Sequence, residues 1–356
     1  MKKRMWILLF MMPLFFSGCA GGRNAEDREY VITMGGDYEA EDDQYIFSFA
    51  PAKVSEEKPK VFTAQGQTIA EAVVLADFRN SNKTDMGQMK LVILGDSLIK
   101  NADKLSGVLE EMAGSQKISD QVMMLATTGQ AKACLEAVVE ADTNTGLYLW
   151  DFYKNTAKDT AVIKGMDLET LLTMMAEQKN AVILPQIKLE EDGIHLGGGI
   201  GLTEGEYAYT LSWDDEDVYL MLLGEFPGIL IKSADMAEAG SFLIVDGKTK
   251  YRFYENEDGK IEAYLWLKVE GDVVGGDKKS DGAEFDKQNL EKLFAGLIKD
   301  KIENRIVWTG EQDVGDVYGL QSRIRRKFPE LAEESLNDVQ YYVQVDIKIR
   351  DTGRIW

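Results

Sequence analysis

Cys19 is one of two cysteines in a chain of 356 residues, and it follows the apolar run Met5–Phe16 with only Ser17 and Gly18 between. Lys2, Lys3 and Arg4 give that run a basic start. Its length falls short of the roughly twenty apolar residues that a bilayer-spanning helix needs. A charged start, a short apolar stretch and small residues at its end predict a secretory signal over residues 1–18. Phe16-Ser17-Gly18-Cys19 has the form of a bacterial lipobox, with Phe16 where leucine is usual. Ser17 and Gly18 are small enough to let the bond after Gly18 enter a narrow protease site. The chemistry expected of Cys19 is then acylation, as a diacylglyceryl cysteine carrying palmitate-type chains. Two chains hold stably where one binds marginally, since each buried methylene contributes about 0.8 kcal/mol. Residues 19–28 read as the lipidated cysteine and a small, polar tether, with a reach of about 15–18 Å if it behaves as a flexible chain.

The remaining reactive residue types point away from catalysis. Cys134 lies in AKACLEAVV, where Ala131, Cys134, Leu135, Val138 and Val139 recur at helical spacing. It is expected to be a buried, inert hydrophobe. His195 is the only histidine, which excludes histidine-cluster zinc sites. Its place in GIHLGGGIG predicts an outward-facing strand residue with no catalytic partner motif. There is no G-x-S-x-G and no H-E-x-x-H. GGGIGL at 197–202 is followed by the alternating LTEGEYAYTL, where a dinucleotide fingerprint requires a helix. ENEDGKIE lacks the first and last carboxylates of a calcium loop, at Tyr254 and Leu265, and predicts a hairpin turn over Asn256–Gly259. WDDED at 213–217 reads as a solvated helix entry whose carboxylates complement the helix dipole. No catalytic residue, metal ligand or cofactor site is expected.

Composition narrows the partners. Removal of Lys2, Lys3 and Arg4 takes 40 basic residues to 37 against 61 acidic ones, a net of −24. Such a surface is repelled by nucleic-acid phosphates and by anionic headgroups, so nucleic acid is excluded and the lipid must hold the protein at a membrane. The hydrophobic content of 45% is that of a globular chain of two or three domains.

The elements that position these residues follow from periodicity. Strands are expected at Tyr30–Met34 and Tyr45–Phe49. TIAEAVVLADF opens a helix on a Thr68/Glu71 capping box. MKLVILG at 89–95 has the continuous apolar run of a strand buried on both faces, and a helix with Leu105, Val108, Leu109 and Met112 inward comes next. QVMMLATTG is read as a strand, Asp167 as the cap of a helix, and Pro185 as an edge or bend in AVILPQIKLEEDG. The segment 143–166 carries no clear signal. In the second half, IEAYLWLKVEG alternates, and a helix over about 286–306 turns Leu290, Leu293, Phe294, Leu297, Ile298 and Ile302 inward. VQYYVQVDIKI alternates cleanly, as in an antiparallel sheet with one wet face. The fold class is α+β: small mixed domains, each with a mainly antiparallel sheet packed by helices. The divisions expected are the signal at 1–18, the tether at 19–28, an N-terminal α+β region over 29–190, itself one or two domains, and a C-terminal α+β domain over 193–356.

Taken together the segments resemble the Ger(x)C, GerAC-like family, the C-subunit lipoproteins of bacterial spore germinant receptors. VFTAQGQTIAEAV at 61–73 resembles the family's first helix entry, and MGQMKLVILGDSLIK at 86–100 its buried strand, with Gln88 in place of a common histidine. LGGGIGLTEGEYAYTLSWDDEDVYLMLLGE resembles its domain-opening strands. DVYGLQSRIRRKFPEL and VQVDIKIRDTGRI are similar to its closing helix and strand. The family's tryptophan-aspartate after the lipidated cysteine is Ala20-Gly21 here, and its tryptophan after the late proline is absent at Leu331–Glu334. The resemblance implies a non-catalytic lipoprotein subunit on the outer face of the spore inner membrane. Its partners would be two integral receptor subunits, an A-type and a B-type. It also implies three small α+β domains. The alternatives in other classes are a solute-binding lipoprotein of a transporter, which would show two α/β lobes around a cleft, and a cell-wall enzyme.

Overall fold

The computed structural model describes residues 27–53, 58–141, 146–156, 160–176, 181–226, 228–233, 240–275, 287–312, 314–329 and 339–351. The lipobox residues Phe16, Ser17, Gly18 and Cys19 lie outside these. The first half is built from β1 (Arg28–Glu39), β2 (Gln44–Pro51), β3 (Phe62–Gly66), α1 (Ile69–Asp77), β4 (Lys83–Asp85), β5 (Leu91–Leu94), α2 (Ala102–Gly114) and β6 (Met123–Ala126). There follow α3 (Ala131–Ala141), α4 (Leu147–Asp151), β7 (Met166–Asp167), α5 (Leu168–Ala176), β8 (Val182–Glu190), β9 (Gly193–Thr203) and β10 (Glu206–Leu211).

These strands form one sheet in the order β10-β9-β8-β6-β5-β1-β2-β3, with β4 on β1 and β7 on β6. Its centre, β1-β5-β6-β8, is parallel, while the pairs at both flanks are antiparallel. Each residue of β5 and β6 is buried, as a strand covered on both faces requires. Val92, Leu94, Met124 and Ala126 face α1, α2 and α5, while Leu91, Ile93, Met123 and Leu125 face α3 and α4. The Thr68/Glu71 pair caps the α1 entry as its spacing predicts: Thr68 Oγ1 accepts from Glu71 N–H at 3.0 Å, while the Glu71 carboxylate reaches one residue past the cap and accepts from Gln67 N–H at 2.7 Å. Asp167 caps α5 by accepting from Thr170 N–H at 2.8 Å. Pro185 sits at a register shift between β8 and β9, so it marks a bulge in an interior strand rather than an edge. The unassigned segment holds α4 and a π-helical turn over Phe152–Thr156.

The second half comprises α6 (Trp213–Leu223), β11 (Leu230–Lys232), β12 (Ser241–Glu255), β13 (Ile261–Val274), α7 (Lys287–Gln312), α8 (Leu320–Lys327) and β14 (Gln340–Ile349). Its sheet has the order β11-β12-β13-β14. Ile261, Ala263, Leu265, Leu267 and Val269 form the buried face of β13 as their alternation predicts. Each of the larger side chains contributes about 1.5–3 kcal/mol by leaving water. Across from them lies the α7 stripe Leu290, Phe294, Ile298, Ile302 and Ile306. Leu293, expected inward, is 40% exposed because it falls beside this four-residue stripe.

One expectation is corrected here. β14 runs parallel to β13, with Glu262 opposite Gln340 through Gly271 opposite Ile349. Alternation reports only that one face is wet. A β-α-β connection that places α7 on a single face produces the same pattern with parallel strands. The fold is α+β, two helix-packed sheets in a mixed topology. The β8–β9 hairpin belongs to the first sheet and spans the turn at residues 191–192.

Candidate functional site

Two places gather buried ionisable groups. The first is a cleft of about 740 Å³ beyond the carboxyl ends of β1, β5 and β6. Asp37, Gln65, Arg79, Asp96, Thr128 and Lys132 are among the residues lining it. Asp37 ends the buried stretch of β1 and caps the start of α3. Its Oδ1 accepts from Ala131 N–H at 2.8 Å and its Oδ2 from Lys132 N–H at 3.0 Å. Burial raises its carboxyl above the usual range, against the pull of these two N–H groups and of the Lys132 charge. Gly95 is the companion of this contact, because a side-chain carbon there would overlap Asp37 Oδ1. Gly35 lets α3 approach β1, since a Cβ would meet Ala131 at 3.3 Å. The sequence signal is the Gly35-Gly36-Asp37 run inside a strand: small residues where a helix start comes close, then a carboxylate to meet it.

The second place overturns the reading of WDDED as a solvated helix entry. Glu216, in the first turn of α6, is fully buried. Its Oε1 accepts from Ile163 N–H at 2.6 Å and its Oε2 from Gly198 N–H at 2.9 Å. Burial pushes its carboxyl up to about 7, the two backbone donors opposing that rise. The glycine run serves this contact. Gly198 has φ +72°, and a Cβ there would stand 2.6 Å from the Leu211 carbonyl oxygen. At Gly197 a Cβ would press on Glu216 and Trp213. GGGIGL is thus the strand that receives a buried carboxylate, with no phosphate-binding helix behind it. The neighbouring acids pair with α7: Asp217 Oδ2 is 2.9 Å from Lys301 Nζ and Asp215 Oδ2 is 3.3 Å from Arg305. The segment thereby joins the β8–β9 hairpin, the loop at Ile163 and α7.

His195 lies on β9, half-buried, and has a partner that its sequence context did not signal. Its Nε2 is 2.7 Å from Asp192 Oδ1, and its ring meets Trp213 edge-on at 6.2 Å between centroids. That hydrogen bond lowers the Asp192 carboxyl. Ligand atoms of Glu190, Asp192 and His195 fall within 4.8 Å of one another on the β8–β9 turn, the one such cluster among the described residues. Cys134 is 2% exposed, 3.3 Å from Thr127 Oγ1, and burial raises its thiol. It is the buried hydrophobe that its helical spacing predicts. The Asn256 turn is a hairpin: Asn256 Oδ1 accepts from Asp258 and Lys260 N–H at 3.1 and 2.9 Å.

The buried carboxylates of Asp37 and Glu216 accept from backbone N–H groups and fix elements to one another. No helix of the described residues is long and apolar enough to cross a membrane.

Comparison with known proteins accounts for both halves. The family domain described as "Spore germination protein N-terminal domain" matches residues 21–189. "Spore germination B3/ GerAC like, C-terminal" matches residues 198–353. Spore germination protein GerQC of Bacillus cereus is 20% identical over 358 residues, covering 98% of each chain. The crystal structure of the GerBC protein shares the fold at a TM-score of 0.56 and 16% identity, over 89% of this chain and 97% of that one.

Proposed function

The chain belongs to the GerAC-like family of spore germination proteins, and from that premise we propose that it is the C-type lipoprotein subunit of a germinant receptor in the spore inner membrane. The observation that carries this reading is the tiling of the chain by the family's two domains in their order, at residues 21–189 and 198–353. Cys19, two residues ahead of the first matched domain, bears the lipid anchor on the extracytoplasmic face. The partners are an A-type and a B-type integral subunit. The role is assembly and signalling, without covalent chemistry on a substrate.

A chain with 61 acidic and 40 basic residues is repelled by anionic headgroups, so a lipid at Cys19 is what keeps it at the bilayer. Confinement within the reach of a short tether raises its effective concentration towards the millimolar range. Modest contacts to neighbouring subunits then suffice. The test is purification of the tagged chain from detergent-solubilised spore inner membrane, with its neighbours identified by mass spectrometry. Recovery of the two integral receptor subunits is expected. Recovery of a transporter permease in their place would reassign the chain to a solute-binding role.

A further inference from the structure

One face of the β11–β14 sheet packs on α6 and α7, through residues such as Phe253, Leu265 and Val343. The opposite face carries no helix among the described residues, and strand register sets out what it presents. Lys248, Lys268 and Asp346 are direct neighbours across β12, β13 and β14. Lys250, Trp266 and Gln344 form the next row, and Arg252, Tyr264 and Tyr342 the one after.

The rings of these rows form a cross-strand stack. Tyr264 lies 4.7 Å from Tyr342 and 5.7 Å from Trp266 between centroids, each pair within 16° of parallel. The Arg252 guanidinium is 5.5 Å from the Trp266 ring. The hydroxyls are tied down: Tyr264 donates to Glu262 at 3.0 Å and Tyr342 to Gln340 at 3.3 Å. Rigid Tyr, Trp and Arg groups of this kind dominate protein–protein binding energy, because little side-chain freedom is lost on contact.

Charge on this face is uneven. Towards the carboxyl end of β14 the cations are neutralised, Lys348 by Glu270 at 3.0 Å and Arg350 by both oxygens of Asp272 at 3.2 and 3.1 Å. Around the rings they are not. Lys248, Lys250, Arg252 and Lys268 have no carboxylate within ion-pair reach among the described residues. Lys248 stands directly opposite Lys268, and like charges so placed destabilise a sheet. In a chain with a net charge of −21, these three rows set four cations against one carboxylate, Asp346 beside Lys268, and so reverse the prevailing sign around the aromatic stack.

We propose that this face docks an acidic, extracytoplasmic segment of a partner protein, its carboxylates neutralising Lys248, Lys250, Arg252 and Lys268 while its apolar groups pack on the stacked rings. The inference rests on the assembly reading above and names the surface and the chemistry that assembly uses. A bilayer is the poorer occupant. Tyr264 and Trp266 are half-buried by their neighbours and stand in a stack, so they offer no protruding apolar tip for the headgroup region.

The test uses the full, anchored chain in sporulating cells, with the photo-cross-linker p-benzoylphenylalanine at Tyr342 and, as controls on other surfaces, at Phe78 and Val307, which are 82% and 57% exposed. After irradiation of spore membranes, adducts are immunoblotted for the A-type and B-type subunits. The expected result is a subunit adduct from Tyr342 that the double change Lys250→Glu and Arg252→Glu reduces about tenfold, the effect of losing one strong interfacial contact of about 1.4 kcal/mol, at an unaltered unfolding midpoint. Subunit adducts from Phe78 or Val307 but none from Tyr342 overturn the proposal and leave the receptor assignment standing. A Tyr342 adduct with lipid alone overturns it in favour of the membrane. Insensitivity of the Tyr342 adduct to the charge reversal overturns the acidic-partner chemistry. Absence of adducts at all three positions, with no co-purifying subunit, refutes the receptor assignment and this surface together.

Discussion

Replacing Glu216 by glutamine should remove a pH dependence that the fold imposes on its own stability. The folded protein holds the Glu216 proton up to about pH 7, whereas an unfolded chain releases it near 4.5. Between those values the folded state binds more protons, so the stability due to this group is full below pH 4.5 and is lost as pH rises through 7. At about 1.4 kcal/mol for each tenfold, the interval from 4.5 to about 7 corresponds to about 3 kcal/mol. Glutamine cannot ionise, but its amide nitrogen cannot accept from the second backbone donor, so either Ile163 or Gly198 N–H loses its partner. That deficit costs about 1–3 kcal/mol and does not vary with pH. Urea unfolding of wild type and Glu216→Gln from pH 4.5 to 8.5 therefore gives two curves that converge towards high pH. Asp37 and Asp217 are also raised by burial and slope the same way, but they are common to both proteins. Glu216→Ala removes both acceptors and should cost roughly 2–5 kcal/mol at pH 5, less at pH 8. Parallel wild-type and Gln curves would refute the buried, backbone-held carboxylate.

Three further outcomes follow from single contacts. Gly95→Ala must displace Asp37 from the α3 start, and should lose about 2–4 kcal/mol in urea unfolding through the broken hydrogen bonds to a buried carboxylate. Cys134→Ser buries a shorter hydroxyl in place of a thiol that meets Thr127 Oγ1 and the Leu189 backbone, and should cost about 1–3 kcal/mol, while the native thiol resists bulky maleimides over hours. His195→Ala breaks the Asp192 contact on a surface turn, and spores carrying it should germinate at wild-type rate with normal amounts of the protein.

What could be read from the residues divides by the range of the interaction. β5, β13, the Thr68/Glu71 box and the Cys134 stripe were legible because each depends on spacing within a dozen residues. The burial of Glu216 was not, since acids in a first helical turn are ordinarily wet and this one is covered by Ile163 and Gly198 from elsewhere in the chain. The direction of β14 escaped for a related reason: alternation encodes which face is dry, not which way the neighbour runs. His195 and Asp192 were visible as residues three apart, but only the hairpin turn brings their side chains within 2.7 Å. The alternating segment after GGGIGL was enough to set it apart from a phosphate loop, but what its glycines do was not legible: their φ values and close contacts serve strand packing and a carboxylate that comes from another element.

Attachment at Cys19 is what should make the folded chain functional. A form beginning at Ala20 and exported without the lipobox should give the circular dichroism of the anchored protein, because the described elements begin with β1 at Arg28. In spores lacking the native gene it should fail to support nutrient germination, and immunoblots should show the A-type and B-type subunits depleted. Full germination by the unanchored form, at normal levels of both subunits, would contradict the membrane-tethered subunit.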